Sequence, residues 1–222
     1  IDLNTVSKNY RLDWLIVCIK AYQFDEARAD LKKLVDKNTK VAVIRNGIDL
    51  KAPFLEFTTA DKILECMIDC PVQKTSEGNY LQLAAPKIVV EKSALADEFE
   101  KLFIEGNLTV IQVEDFLTIN WKKVIESSAI GGILALSGET VWIFKDEEVV
   151  DLYKKIIIEG IAVARKEGAD IADNFVEDLV QKLTTYSDTK GSSMLTDRQN
   201  GLPIELDAKN GIISKYGKQH KV

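Results

Sequence analysis

Apolar residues change their period once along this chain, near residue 115. Before that point they fall in short, nearly continuous runs. DWLIVCIK (13–20) and TKVAVIRNG (39–47) are rich in Ile and Val, as strands covered on both faces are. Between them FDEARADLKKLVD (24–36) sets Ala27, Leu31, Leu34 and Val35 at helical spacing. Strand, helix, strand within about 35 residues is a βαβ unit and predicts a parallel sheet. Two more strands are expected at KILECMID (62–69) and YLQLAAPKIVVE (80–91), on either side of a turn at Glu77-Gly78-Asn79. SALADEFEKLFIEG (93–106) reads as a helix capped by Ser93 and stopped by Gly106, and LTVIQVED (108–115) as a last strand.

Beyond residue 115 the pattern stays helical, over 116–138, 147–168 and 174–187. The organisation is α/β followed by all-α, divided near residue 115. The stretch GSSMLTDRQNGLPIELD (191–207) then breaks the helical rhythm with many hydrogen-bonding groups, among them Ser192, Ser193, Asp197, Arg198, Glu205 and Asp207.

Composition narrows the function classes. The chain has 222 residues, 46% of them hydrophobic and 29% charged, enough for a proper core. A net charge of −6 with no basic stripe argues against nucleic acid as a partner. No apolar run approaches the roughly 20 residues of a membrane helix, and no basic-then-apolar leader opens the sequence, which begins with Ile1. Three cysteines, Cys18, Cys66 and Cys70, and one histidine, His220, lack metal-ligand spacing; free thiols in a reducing cytoplasm are expected, and no metal.

Candidate chemistry sits at strand ends and on one helix face. Ligands of open parallel sheets bind at the carboxyl ends of strands. Lys20 and Asn46 close the first two strands, and Gly47 lets a backbone approach closely. A surface lysine and an Asn-Gly turn are the plainer alternative. On the helix of 116–138, Lys123, Ser127 and Gly131 stand four residues apart beside apolar Ile130 and Leu134. Lys123 is thus either a general acid bordering a cleft or a snorkelling lysine. Gly131 and Gly132 each cost about 1 kcal/mol in mid-helix relative to alanine, which points to a close approach by a ligand, a backbone or a tightly packed helix. The glycine-rich G-x-G-x-x-G dinucleotide motif does not occur.

Taken in order and with their gaps, KAYQ (20–23), RNGID (45–49), NWKKVIESSAIGGILAL (120–136) and SSMLTDRQNGLPIELDAKNG (192–211) resemble the ketopantoate reductase family over nearly the whole chain. The resemblance implies part of a Rossmann-type, NADP-binding parallel-sheet domain at 1–115. A helical catalytic and substrate-binding domain of the 6-phosphogluconate dehydrogenase C-terminal type would follow at 116–222. It implies NADPH-dependent reduction of 2-dehydropantoate to pantoate, a step of pantothenate and coenzyme A biosynthesis. Lys20, Asn46 and Glu205 would touch the cofactor, and Asn46, Ser127 and Ser193 the substrate. Lys123 would be the general acid, with Glu205 beside it. The segment 191–207 would fold back over the active-site cleft, and a homodimer is possible.

Three departures qualify these expectations. Where the family often has asparagines one and two turns after the lysine, Ser127 and Gly131 stand here, so a paralogue reducing another 2-oxo acid is an open alternative. The chain starts about where the third or fourth strand of the nucleotide fold would be, so the cofactor-selecting residue is expected to lie outside it. The family's proline-containing continuation past the last helix is also missing before Val222. A non-catalytic dimerisation or binding module is the alternative from another class.

Overall fold

The computed structural model describes residues 11–222. They divide into two compact units that meet in sequence between Phe116 and Leu117.

The first unit is built on a five-stranded sheet: β1 (Trp14–Val17), β2 (Lys40–Ile44), β3 (Ile63–Asp69), β6 (Lys87–Glu91) and β7 (Thr109–Val113), side by side in that order. Strands β4 (Val72–Lys74) and β5 (Tyr80–Gln82) form a separate two-stranded ribbon. Helix α1 (Phe24–Leu34) joins β1 to β2, and α2 (Ala94–Glu100) joins β6 to β7. Both crossovers return the chain parallel, pairing Val17 with Val43 and Val90 with Gln112.

The sheet departs from the all-parallel expectation at one seam. β3 and β6 run antiparallel, with Cys66 opposite Val90. The reason lies in the connection. A parallel return needs a crossover, usually a helix, whereas residues 70–86 fold into the β4–β5 ribbon and bring the chain back at the end it left. The ribbon turns where Thr75 N–H donates to Asn79 O at 2.8 Å and Gly78 takes φ +82°. The expected single strand at 80–91 is therefore two strands, separated by Leu83-Ala84-Ala85-Pro86. The helix expected to reach Gly106 ends at Glu100, tightening into a 3₁₀ turn over Lys101–Phe103.

Alternation along the strands feeds two cores, one on each face. Ala42, Ile44, Leu64, Cys66, Ile88 and Val90 pack under α2 through Ala96 and Phe99. Val41, Val43 and Ile63 point the other way, toward Phe24 and Leu31 of α1 and toward Leu50 and Phe54. Ser93 caps α2 as expected, its Oγ accepting from Ala96 N at 3.1 Å.

The second unit is helical: α3 (Phe116–Ser137), α4 (Glu147–Lys166), α5 (Phe175–Leu183), α6 (Ser193–Gln199) and α7 (Ile212–His220). α3 is buried along most of its length, including Trp121, Val124, Ile125, Ala129 and Leu134. It meets α4 where Gly160 lies under Ile125; a Cβ at 160 would stand 2.9 Å from Ile125 Cγ1. Just before α7, Asp207–Gly211 forms a single π-type turn, in which Gly211 N–H reaches back to Leu206 O at 2.8 Å. Wide turns of this kind shift later side chains by a fraction of a turn, and they recur at functional sites.

Candidate active site

Lys20 and Asn46 occupy equivalent places on neighbouring strands. Val17 and Val43 are register partners in β1 and β2, and each candidate stands three residues further on. Both side chains therefore leave the sheet at the same carboxyl edge and are half-buried. Lys20 is fixed by its backbone, its N–H donating to Gln23 Oε1 at 2.9 Å. After Asn46 the chain turns sharply, with buried Gly47 at φ +123° and Asp49 at φ +56°. Gly47 has a conformation that side-chain-bearing residues rarely adopt, leaving bare backbone at the edge. A donor-bearing edge beside a side-chain-free turn suits a nucleotide ligand.

The first unit also contains a cavity of about 320 Å³ lined by Lys51, Glu65, Glu91, Ser93, Leu95 and Phe116. Lys20 and Asn46 are not among its walls. Glu65 serves the fold there, accepting from Lys51 N at 3.2 Å and from Leu50 N. Burial lifts its carboxyl above the usual range, against the pull of Lys51 and those two amides. Cys18 and Cys66 are also pushed up by burial, so neither is a ready thiolate.

On α3, the spacing of Lys123, Ser127 and Gly131 leads to three different settings. Lys123 is half-buried, flanked by the fully buried Trp121 and Val124. Ser127 Oγ donates to Val124 O at 3.2 Å, within its own helix. With its proton so directed, the oxygen's lone pairs are left to face a ligand. Gly131 does not face open space: a Cβ there would meet Met194 Sδ at 2.9 Å. Gly132 is covered in the same way by Asn210 Nδ2, 3.2 Å from its notional Cβ. Side-chain packing, rather than a ligand, accounts for the mid-helix glycines.

The segment 191–211 is tied to α3 at three points. Met194 fills the notch at Gly131, and Asn210 Nδ2 donates to Ser128 O at 3.1 Å. Arg198 Nη1 donates to Leu136 O at 2.8 Å and to Ala135 O, capping the helix's carboxyl end. Within this frame Ser192 caps α6, accepting from Leu195 N at 3.1 Å, while Ser193 is exposed and accepts from Lys209 Nζ at 3.0 Å. Lys209, Glu205 and Asp197 are buried, at 3%, 8% and 8% exposure. Sequence reasoning passed over Lys209 and Asn210, and noted Arg198 only as one polar group among several. A signal for Lys209 was present: with Ile213 and Gly217 it stands at i, i+4, i+8, in line with two buried positions of α7.

Residues 2–94 match the family model "Ketopantoate reductase PanE/ApbA", and residues 115–222 match its C-terminal counterpart. The 2-dehydropantoate 2-reductase of Caulobacter vibrioides is 31% identical over 211 residues, covering 95% of this chain and 72% of that protein. This chain belongs to the ketopantoate reductase family.

The 2-dehydropantoate 2-reductase of Mycobacterium tuberculosis is also 31% identical, over 94% of this chain and 70% of its own length. Among solved structures, a dimeric ketopantoate reductase from Staphylococcus aureus superposes with a TM-score of 0.87 at 22% identity, over 95% of this chain and 72% of that one. A D-mandelate dehydrogenase with bound NADH and anilino(oxo)acetate does so with a TM-score of 0.85 at 19% identity, over 99% and 73%. These likenesses show the fold: a Rossmann-like sheet followed by a helical domain. The ketopantoate reductase family is one of pyridine-nucleotide-dependent oxidoreductases, so the chain is of an oxidoreductase kind. No helix among the described residues is long and apolar enough to cross a membrane.

Proposed function

We propose that this chain carries the catalytic machinery of an NADPH-dependent reductase that converts 2-dehydropantoate to pantoate, a step toward pantothenate and coenzyme A, in the cytoplasm and as a homodimer. The observation that carries the reading is the 31% identity with the Caulobacter vibrioides enzyme across 95% of this chain. The dimeric Staphylococcus aureus relative motivates the homodimer.

Lys20 and Asn46, at the shared carboxyl edge of β1 and β2, would hold the nicotinamide nucleotide, with Asn46 also reaching the substrate. When bound, that cofactor supplies a hydride to the substrate's ketone carbon. Negative charge then builds on the ketone oxygen, where the Lys123 ammonium stabilises it and delivers the proton, later regained from water. Ser193 holds the substrate's carboxylate or hydroxyl, and Ser127 offers a lone pair to a substrate hydroxyl. Glu205, a buried carboxylate, would orient Lys123 and contact the cofactor.

Following NADPH and NADH absorbance with ketopantoate and a panel of other 2-oxo acids tests the reading. Ketopantoate turned over best, with NADPH preferred, is the expected result. A different 2-oxo acid turned over best would favour a paralogous activity, the second reading, for which the loss of a side chain at Gly131 under Met194 is the specific motive. Folded protein inert to every member of the panel would leave a binding or dimerisation module instead.

Glu205→Gln isolates the coupled role, since it keeps shape and removes charge. A fall in kcat with unchanged helical circular dichroism is the expected result. An unchanged kcat would detach Glu205 from Lys123.

A further inference from the structure

We propose that Lys209 is a positioning residue of the substrate site, acting through Ser193 to make it a receptor for a carboxylate. The inference rests on the reading of Ser193 as a substrate contact, and it adds the residue that sets the direction of that serine's hydrogen bond.

The argument starts from donors and acceptors. A lysine ammonium has only protons to give, so in the 3.0 Å contact between Lys209 Nζ and Ser193 Oγ the serine oxygen accepts. The serine's own proton is therefore directed elsewhere, where it can only donate. The neighbouring Ser192 takes the helix-capping duty, accepting from Leu195 N at 3.1 Å, so Ser193 is spared it. Ser193 is exposed while Lys209 beneath it is 3% exposed. An outward-facing hydroxyl, polarised from behind by a fixed positive charge, is a donor suited to an anion.

Local structure holds the lysine there. The π-type turn over Asp207–Gly211 sends two successive side chains to two different helices, Lys209 to Ser193 on α6 and Asn210 to Ser128 O on α3 at 3.1 Å. α3 does not duplicate the service beyond Lys123. Ser127 gives its proton to Val124 O, and position 131 lies under Met194. A 2-oxo acid brings a carboxylate beside its ketone, and desolvating that charge costs heavily unless charge-assisted donors meet it.

The test compares Ser193→Ala, Lys209→Met, the double variant and Lys209→Gln in the full-length protein. Readouts are kcat, KM for ketopantoate and for its neutral methyl ester, KM for NADPH, and calorimetric Kd for pantoate. Losing a hydrogen bond to a charged group amounts to about 10- to 100-fold. Each single change is expected to raise KM and Kd for the acids by that factor, with kcat and the NADPH KM little altered. The double variant should be no worse than either single one, because the two residues act as a unit. The ester should lose little from any substitution, an outcome that a merely structural role for Lys209 would not give. Lys209→Gln keeps a donor without the charge and remains informative if the methionine variant does not fold. Raised KM in Ser193→Ala with unchanged KM in Lys209→Gln would overturn the role of Lys209 alone. Unchanged KM in Ser193→Ala would overturn both.

Discussion

Replacing Lys123 by alanine is expected to lower kcat by about 100-fold or more, the scale of losing a positioned general acid, with a much smaller change in KM. The residue projects from a helix whose adjoining turns are locked in the core: Trp121 and Ile125 are fully buried and Val124 is 1% exposed. The alanine variant should thus keep its helical circular dichroism, and the loss can be assigned to chemistry. Equal falls in kcat and kcat/KM would mark an interaction made only in the transition state. Small primary amines added to the alanine variant should restore part of the rate by entering the space the side chain leaves. Turnover near that of the unmodified protein would remove Lys123 from the mechanism and leave the snorkelling role as its explanation.

The largest stability effect is expected two residues earlier. Trp121→Ala should cost about 3–5 kcal/mol, as large-to-small changes at fully buried aromatic sites do. The indole is 0% exposed and meets Tyr216 of α7 edge-to-face, with ring centroids 6.0 Å apart and planes at 68°. Its removal therefore takes away both buried area and a favourable ring pair. One term works in the opposite direction. The indole Nε1 has no hydrogen-bond partner among the described residues, and deleting a buried orphan donor relieves its penalty. The lower end of the range follows. Urea unfolding monitored by helical circular dichroism measures the loss; a cost under about 1 kcal/mol would mean that α7 collapses into the space.

Much of this architecture could be read from residue patterns, and the failures have physical causes. β1 and β2 announce themselves as continuous Ile- and Val-rich runs, and in β2 alternate residues enter the cores on both faces. The direction of β6 could not be read locally. It depends on how residues 70–86 bring the chain back, and a short ribbon and a crossover helix give the following strand the same apolar pattern. Helices α6 and α7 escaped for another reason. Each is two to three turns long, and Gly201 and Pro203 interrupt the sequence between them, so neither presents a sustained period.

The candidate site divides in a similar way. The even spacing of Lys123, Ser127 and Gly131 was visible, but spacing alone could not tell that the last position is filled from α6 and that the middle hydroxyl is turned into its own helix. Lys209 was hidden by its chemistry. A charged residue in a polar segment reads as solvated until its alignment with Ile213 and Gly217 is considered.

The notch at Gly131 has a consequence for how this protein can be varied. Because Met194 Sδ occupies the volume that any side chain at 131 would need, the two positions form one shared allotment of space. A library that randomises 131 alone returns only side chains that the Met194 thioether can swing aside to admit. Pairing it with alanine or serine at 194 opens the shelf beside Ser193 to a new side chain, so pocket chemistry here has to be redesigned two residues at a time.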